Sequence, residues 1–148
     1  MRWSERGFTL VEMVVVVVLI GVLLTVSLPY FRGATLKSDV RAAGDAISSL
    51  HAVAKAAAIQ RGRIARLVLL SADSKALVVA DRVGGGLDTV GVVEDLGSRF
   101  GVSFTTTQDT LAFTPRGIGT ALSGTTIVVT KSDVSDTITV SAAGRLTR

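Results

Sequence analysis

At 148 residues with a formal charge of +4, no cysteine and a single histidine, the chain excludes most enzyme chemistries at the outset. His51 has neither a cysteine nor a second histidine to join it, so a metal centre or a histidine-based nucleophilic triad finds no donor set. Serine, threonine and aspartate are plentiful but stand at no defined spacing from a base, and Asp133 and Asp136 in KSDVSDT read as hairpin-turn residues, so neither an enzymatic activity nor a cofactor or metal is expected.

The N-terminus opens on a short polar leader, MRWSERG, residues 1–7. An apolar run follows from Phe8 to Leu28, 21 residues that as a helix extend ~31 Å, about the thickness of a bilayer's hydrocarbon core. A cleaved secretory signal is a poorer reading, because its apolar region is about 7–15 residues long and ends in a small-x-small site that TVSLPYF lacks. A buried core helix is poorer too, since the rest of the chain has little mass to surround five consecutive valines. A membrane helix is therefore expected. Its orientation is not set by charge, because Arg2 and Arg6 precede the run while Arg32, Lys37 and Arg41 follow it closely. Glu12 is the anomaly, since a charge inside hydrocarbon costs about 2.5–3.5 kcal/mol even on the gentler insertion scales. Either it snorkels to the headgroups or it has a partner. Pro29 removes a backbone donor and crowds the preceding turn, which kinks or locally opens a helix.

The helix is expected to continue to about residue 62. Val40, Ala43, Ile47, Leu50, Ala54 and Ala57 recur at three- and four-residue steps and form one apolar stripe, and Gly62 is a stop signal. His51, beside the stripe, is expected as a packed or half-exposed helix histidine. From Arg63 onward the texture becomes β-rich: IARLVLL, ALVVAD, VGVVEDL, GVSFTTT, TLAFTP, TIVVTK and TITVSA are bounded by Gly, Asp, Ser and Pro. The expected fold is α+β, a long N-terminal helix packed on antiparallel sheets, one against the helix stripe and the other strands in a second layer. Arg82–Asp88, RVGGGLD, is a flexible connection and not a phosphate loop, because no Gly-Lys-Ser/Thr follows and no helix begins there.

The junction Gly7-Phe8-Thr9-Leu10-Val11-Glu12 resembles the type IV pilin and type II secretion pseudopilin superfamily, whose signature is a basic leader ending in Gly with Glu at the fifth mature position. The resemblance implies a pilin-like fold in three parts. Residues 1–7 are a leader removed by a prepilin peptidase, which cuts between Gly7 and Phe8 and methylates the Phe8 amine; glycine suits the cut because it lets a protease approach the backbone closely. Residues 8–29 are a transmembrane and filament-core helix. Residues 30–148 are a periplasmic globular domain. The chain is then a single-pass inner-membrane protein with a cytoplasmic N-terminus, present also in a periplasmic pseudopilus. Glu12 would face the Phe8 amine of a neighbouring subunit, a pairing that removes most of the desolvation penalty and sets register. Gly21 and Pro29 fall where the superfamily carries helix-weakening residues.

The closing segments LAFTPRGIGTALSGTTIVVT and DTITVSAAGRLTR resemble the GspH/FimT-type minor pilins, through Phe113, Pro115, Arg116, Gly117, Gly124, Thr125, Ile138, Val140, Gly144 and Arg145. Without cysteine there is no disulfide-bounded C-terminal loop of the kind major pilins carry, which argues for a minor subunit. Two functions follow from the resemblance. One is a minor pseudopilin of type II secretion near the filament tip, with prepilin peptidase, other pseudopilins or pilins, an inner-membrane assembly platform and secreted substrates as partners. The other is a minor type IV pilin that binds DNA for uptake through basic C-terminal residues, here Arg145 and Arg148, with Arg61, Arg63 and Arg66 as a second patch if the fold brings them close. Gly144-Arg145-Leu146-Thr147-Arg148 sets its second arginine one place off the Gly-Arg-x-Arg pattern, which on a strand moves it to the opposite face. Removing the leader takes away two arginines and one glutamate and leaves +3 on the mature side chains, a modest balance for a phosphate-binding surface.

Overall fold

The computed structural model describes residues 8–148, with the backbone alone described for 26–32. Two compact units divide the chain, the first ending at Thr35 and the second running Leu36–Arg148. Helix α1 is Leu10–Arg61, with Phe8 and Thr9 outside it. It stops through the geometry that glycine permits. Gly62 takes φ 60°, its N–H donates to Ile59 O at 3.3 Å, and Arg63 N–H reaches back to Ala58 O at 3.2 Å. These two bonds satisfy carbonyls that the last turn leaves open.

In the first unit every described side chain from Phe8 to Thr25 is exposed. The second unit holds a core of its own. All six stripe residues, Val40, Ala43, Ile47, Leu50, Ala54 and Ala57, are buried. They meet alternate residues of two four-stranded antiparallel sheets in one cluster. The first sheet has the order β3-β2-β1-β5, made of β1 (Ala65–Leu70), β2 (Lys75–Asp81), β3 (Leu87–Asp95) and β5 (Thr110–Phe113). The second has the order β4-β6-β7-β8, made of β4 (Ser103–Thr106), β6 (Thr125–Lys131), β7 (Val134–Val140) and β8 (Leu146–Thr147). Period-two alternation drives the burial: Ala65, Leu67 and Leu69 in β1, and Thr125, Ile127 and Val129 in β6, point inward while their neighbours point out.

Both sheets reach α1. His51 packs edge-on against Phe113 of β5, with ring centroids 5.1 Å apart. Lys131 of β6 donates to Asp39 Oδ2 at 2.7 Å and to Phe100 O at 2.6 Å. That carbonyl is at the end of α2 (Leu96–Phe100), a short helix capped by Asp95, whose carboxylate accepts from Ser98 N–H at 2.8 Å. The bond from Ser98 holds the Asp95 carboxyl below its usual range.

Three expectations are corrected. Among the described residues eight strands form, because Leu146–Thr147 adds a short edge strand to β7. Asp136 is not a turn residue: the β6–β7 turn is Ser132-Asp133, and Asp136 stands inside β7 opposite Val129. The glycine connection is shorter than Arg82–Asp88, because Leu87 and Asp88 already pair with Asp81 and Ala80.

Candidate functional site

Gly7 lies outside the described residues, as does the whole 1–7 leader. Phe8 is 70% exposed ahead of the helix. Thr9 caps it: its Oγ1 accepts from the Glu12 N–H at 3.2 Å, and its carbonyl accepts from Met13 N–H at 3.2 Å. Thr-x-x-Glu is the sequence of a capping box, and an acid in the first turn also suits the partial positive charge there. Glu12 thus has a local reason to stand where it does, readable from TLVE and missed by a reading that weighed only snorkelling and a partner in another chain. Gly21 stays helical, and Thr25 Oγ1 bonds back to its carbonyl at 2.9 Å. The backbone remains helical through Pro29, whose side chain lies outside the described residues. Among the described residues no helix is long and apolar enough to cross a membrane; the described side chains of the stem end at Thr25, and Leu10–Thr25 as helix extends only ~24 Å.

The basic residues separate into two places. Arg148 bonds to the Asp45 carboxylate of α1, donates through Nε to Asp136 Oδ2 of β7 at 2.5 Å, and through Nη2 to Arg41 O at 3.1 Å. The guanidinium can lie on the helix because residue 44 is glycine: a Cβ there would stand 3.0 Å from Arg148 Cζ. Arg145 is exposed, and among the described residues no carboxylate pairs with it; its N–H donates to Ser141 Oγ at 3.1 Å.

Arg61, Arg63 and Arg66 gather at the other end of α1, where Arg61 pairs with Asp88 at 2.9 Å and Arg66 with Asp81 at 2.5 Å. Arg82, passed over in the sequence because it opens a glycine turn, joins Arg61 and Arg63 in lining an open cleft of about 390 Å³. Helix residues 44 to 61 lie between the two places, about 26 Å of rise. The fold therefore does not bring Arg148 to the Arg61 cluster, and Arg148 is held by two carboxylates.

Arg148 is a clasp between β7, the segment after β8, and α1. Arg148→Ala is expected to lower the unfolding free energy of Leu36–Arg148 by about 1–3 kcal/mol, since it deletes charge-assisted bonds and strands the half-buried Asp136. Arg145→Ala should change it by less than about 0.5 kcal/mol. Urea denaturation of both variants checks this, and equal effects would remove the clasp.

His51 is buried, 7% exposed, and its Nε2 has no hydrogen-bond partner. Desolvation pushes its pKa below 6.5, opposed by a hydrogen bond to the Gly144 backbone and aided by the charge of Lys55. It is a packed histidine; among the described residues no three of His, Cys, Asp or Glu are placed to hold a metal ion.

Comparison with known proteins completes the site. Residues 4–28 match the prokaryotic N-terminal methylation motif, and residues 43–144 match type II transport protein GspH. The chain belongs to the GspH family. The match begins on the helix stripe and ends at Gly144, so it covers the folded unit almost entirely. A fimbrial protein of Pseudomonas aeruginosa is 32% identical over 57 residues, and the chain spans 37% of the length of that relative and 38% of its own. Among solved structures, the minor pilin FimU of the same organism superposes with a TM-score of 0.60 at 15% identity, over 74% of this chain and 87% of FimU. The minor pseudopilin EpsH from the type 2 secretion system of Vibrio cholerae gives 0.56 at 13% identity, over 72% of this chain and 91% of EpsH. At such identities the likeness is one of fold. With the family match it places this GspH-type chain among the minor pilins and pseudopilins.

Proposed function

We propose that the chain is a minor pseudopilin of a type II secretion system, a structural subunit without catalytic activity that helps assemble a periplasmic filament. In this reading a prepilin peptidase removes residues 1–7, residues 8–29 anchor the chain in the inner membrane, and the same stem later packs among neighbouring stems. At 22 residues the stem reaches ~33 Å as helix, enough to span.

The observation that carries the reading is the pairing of the Gly7–Glu12 junction with a stem whose described side chains are all exposed, Leu10 at 80% and Val17 at 68%. Such a surface does not stay in water unless something apolar covers it. Glu12 would combine two roles, closing the first turn locally and meeting the Phe8 amine of the next subunit. The DNA-uptake alternative is the weaker one because Arg148 is already ion-paired with Asp45 and Asp136.

The test uses cells that lack the chain, complemented with wild type, Gly7→Val or Glu12→Ala. Wild type should restore export and have an intact mass beginning at methylated Phe8. Gly7→Val should keep its leader and export nothing. Glu12→Ala should insert in the membrane normally but fall at least about tenfold in purified filaments. Restored DNA uptake without restored export would replace this reading by the pilin one, and a wild-type mass beginning at Met1 would end both.

A further inference from the structure

Arg63 and Arg82 have no carboxylate partner among the described residues, and they share a cleft with Arg61, Asp81 and Asp88, whose carboxylates are already matched by Arg66 and Arg61. Local structure makes this arrangement. The left-handed Gly62 turns the chain so that Arg63 follows Arg61 directly, and Asp81 N–H donates to Ile64 O at 2.9 Å, which sets the start of the β2–β3 turn beside the end of α1. Three guanidinium groups and two carboxylates line the cleft, and because Arg66 takes up Asp81 from outside the lining and Arg61 takes up Asp88, the charges of Arg63 and Arg82 are left unmatched.

The rim is apolar and unobstructed. Val83 is 77% exposed and Leu87 61%, while Gly84, Gly85 and Gly86 at φ 94°, 98° and 93° carry no side chains that could fill the opening. β3 is the outer strand of its sheet. Its regular stretch Leu87–Val90 therefore presents backbone N–H and C=O groups on its free side, up to the irregularity between Ala76 and Val78 of β2. A free strand edge beside unmatched cations and exposed aliphatic side chains is complementary to one kind of partner.

We propose that this cleft binds an extended acidic segment of a partner protein, laid beside Leu87–Val90 with carboxylates on Arg63 and Arg82 and apolar side chains on Val83 and Leu87. The proposal deepens the filament-subunit reading by giving the chemistry of one of its contacts. Nucleic acid fits the cleft less well: the aliphatic rim of Val83 and Leu87 offers phosphates nothing, and the lining supplies three arginines, one of them already paired. Tight duplex binding draws on about six to ten phosphate contacts.

The full chain in detergent is titrated with a fluorescein-labelled peptide of about nine residues alternating aspartate and valine, with the same peptide carrying asparagine for aspartate, and with labelled duplex DNA. The aspartate peptide should bind, weaken as salt rises from about 0.05 to about 0.3 M, and lose at least about tenfold in affinity for the Arg63→Ala/Arg82→Ala variant. The asparagine peptide should bind at least about tenfold more weakly. The reversed variant Arg63→Glu/Arg82→Glu should instead take a lysine–valine peptide, which keeps the proposal testable should the alanine pair disturb the turn. No binding of the aspartate peptide, equal binding of the asparagine peptide, or tighter binding of duplex lost in the same variant overturns it. Because the titration needs no secretion machine, a failure here leaves the filament assignment standing, and a failure of export complementation leaves the cleft's chemistry standing.

Discussion

Gly119→Ala is expected to cost the Leu36–Arg148 unit about 3 kcal/mol or more. A Cβ at 119 would lie 2.6 Å from Ala142 O, 2.7 Å from Gly144 N and 3.0 Å from Ala143 C, all backbone atoms that cannot rotate out of the way. The approach is that close because the loop after β5 docks on the β7–β8 turn: Gly119 N–H donates to Ala143 O at 3.0 Å, and Gly119 forms an isolated bridge with Phe113. One crossing thus ties the edge of the first sheet to the second. Overpacking alone costs about 1–3 kcal/mol, and here it also breaks the tie. Gly144→Ala should be comparably severe, since φ 80° disfavours any Cβ and that Cβ would meet Phe113 Cε1 at 2.9 Å. Gly85→Ala, with nothing within 4 Å of its Cβ, should carry only the backbone cost of about 1 kcal/mol. Urea denaturation of the three variants ranks them; Gly119→Ala unfolding at the same midpoint as Gly85→Ala would contradict the crossing.

Phe113→Ala should lose about 3–5 kcal/mol, the usual cost of truncating a fully buried aromatic ring. It also uncovers His51, and this gives the experiment a second axis. The folded-state pKa of His51 lies below 6.5, so on acidification the unfolded chain takes up a proton before the folded one does. The histidine's share of stability is therefore complete above about pH 6.5 and declines as pH falls from there through the folded pKa, with the sign set by the extra proton on the unfolded state. Wild type should unfold at lower urea at about pH 5.5 than at about pH 7.5. His51→Leu should lose most of that difference, and Phe113→Ala should shrink it by wetting the imidazole. A decline of unchanged size in His51→Leu would assign the effect to other groups.

What the sequence made legible is what depends on short-range periodicity. The stripe from Val40 to Ala57 could be read because the core of the folded unit is built on one helix face at 3.6-residue spacing, and Gly62 could be read because a helix end needs a left-handed residue. The strands could be read from alternation, with β8 too short to alternate. What stayed hidden depends on distant pairs. Arg148 meets Asp45 across 103 residues of chain, and nothing local to GRLTR announces it. Its one-place displacement raised doubt about a DNA site without revealing what the residue does instead. Arg82 was hidden by its setting, since a charge at the mouth of a glycine turn reads as solvated until the end of α1 is seen beside it. The local place of Glu12 in the first turn was legible in TLVE, and the longer-reaching partner was the one looked for.

The core residues of this chain run from Val40 to Val140, and none belongs to the stem. Substitutions at the described side chains of residues 8–25 are for that reason expected to add to those in the core and not to couple with them. Exchanging one apolar surrounding for another around residues 8–25 leaves the folded unit's stability untouched, and a substitution such as Val17→Ala drops out of its unfolding curve altogether.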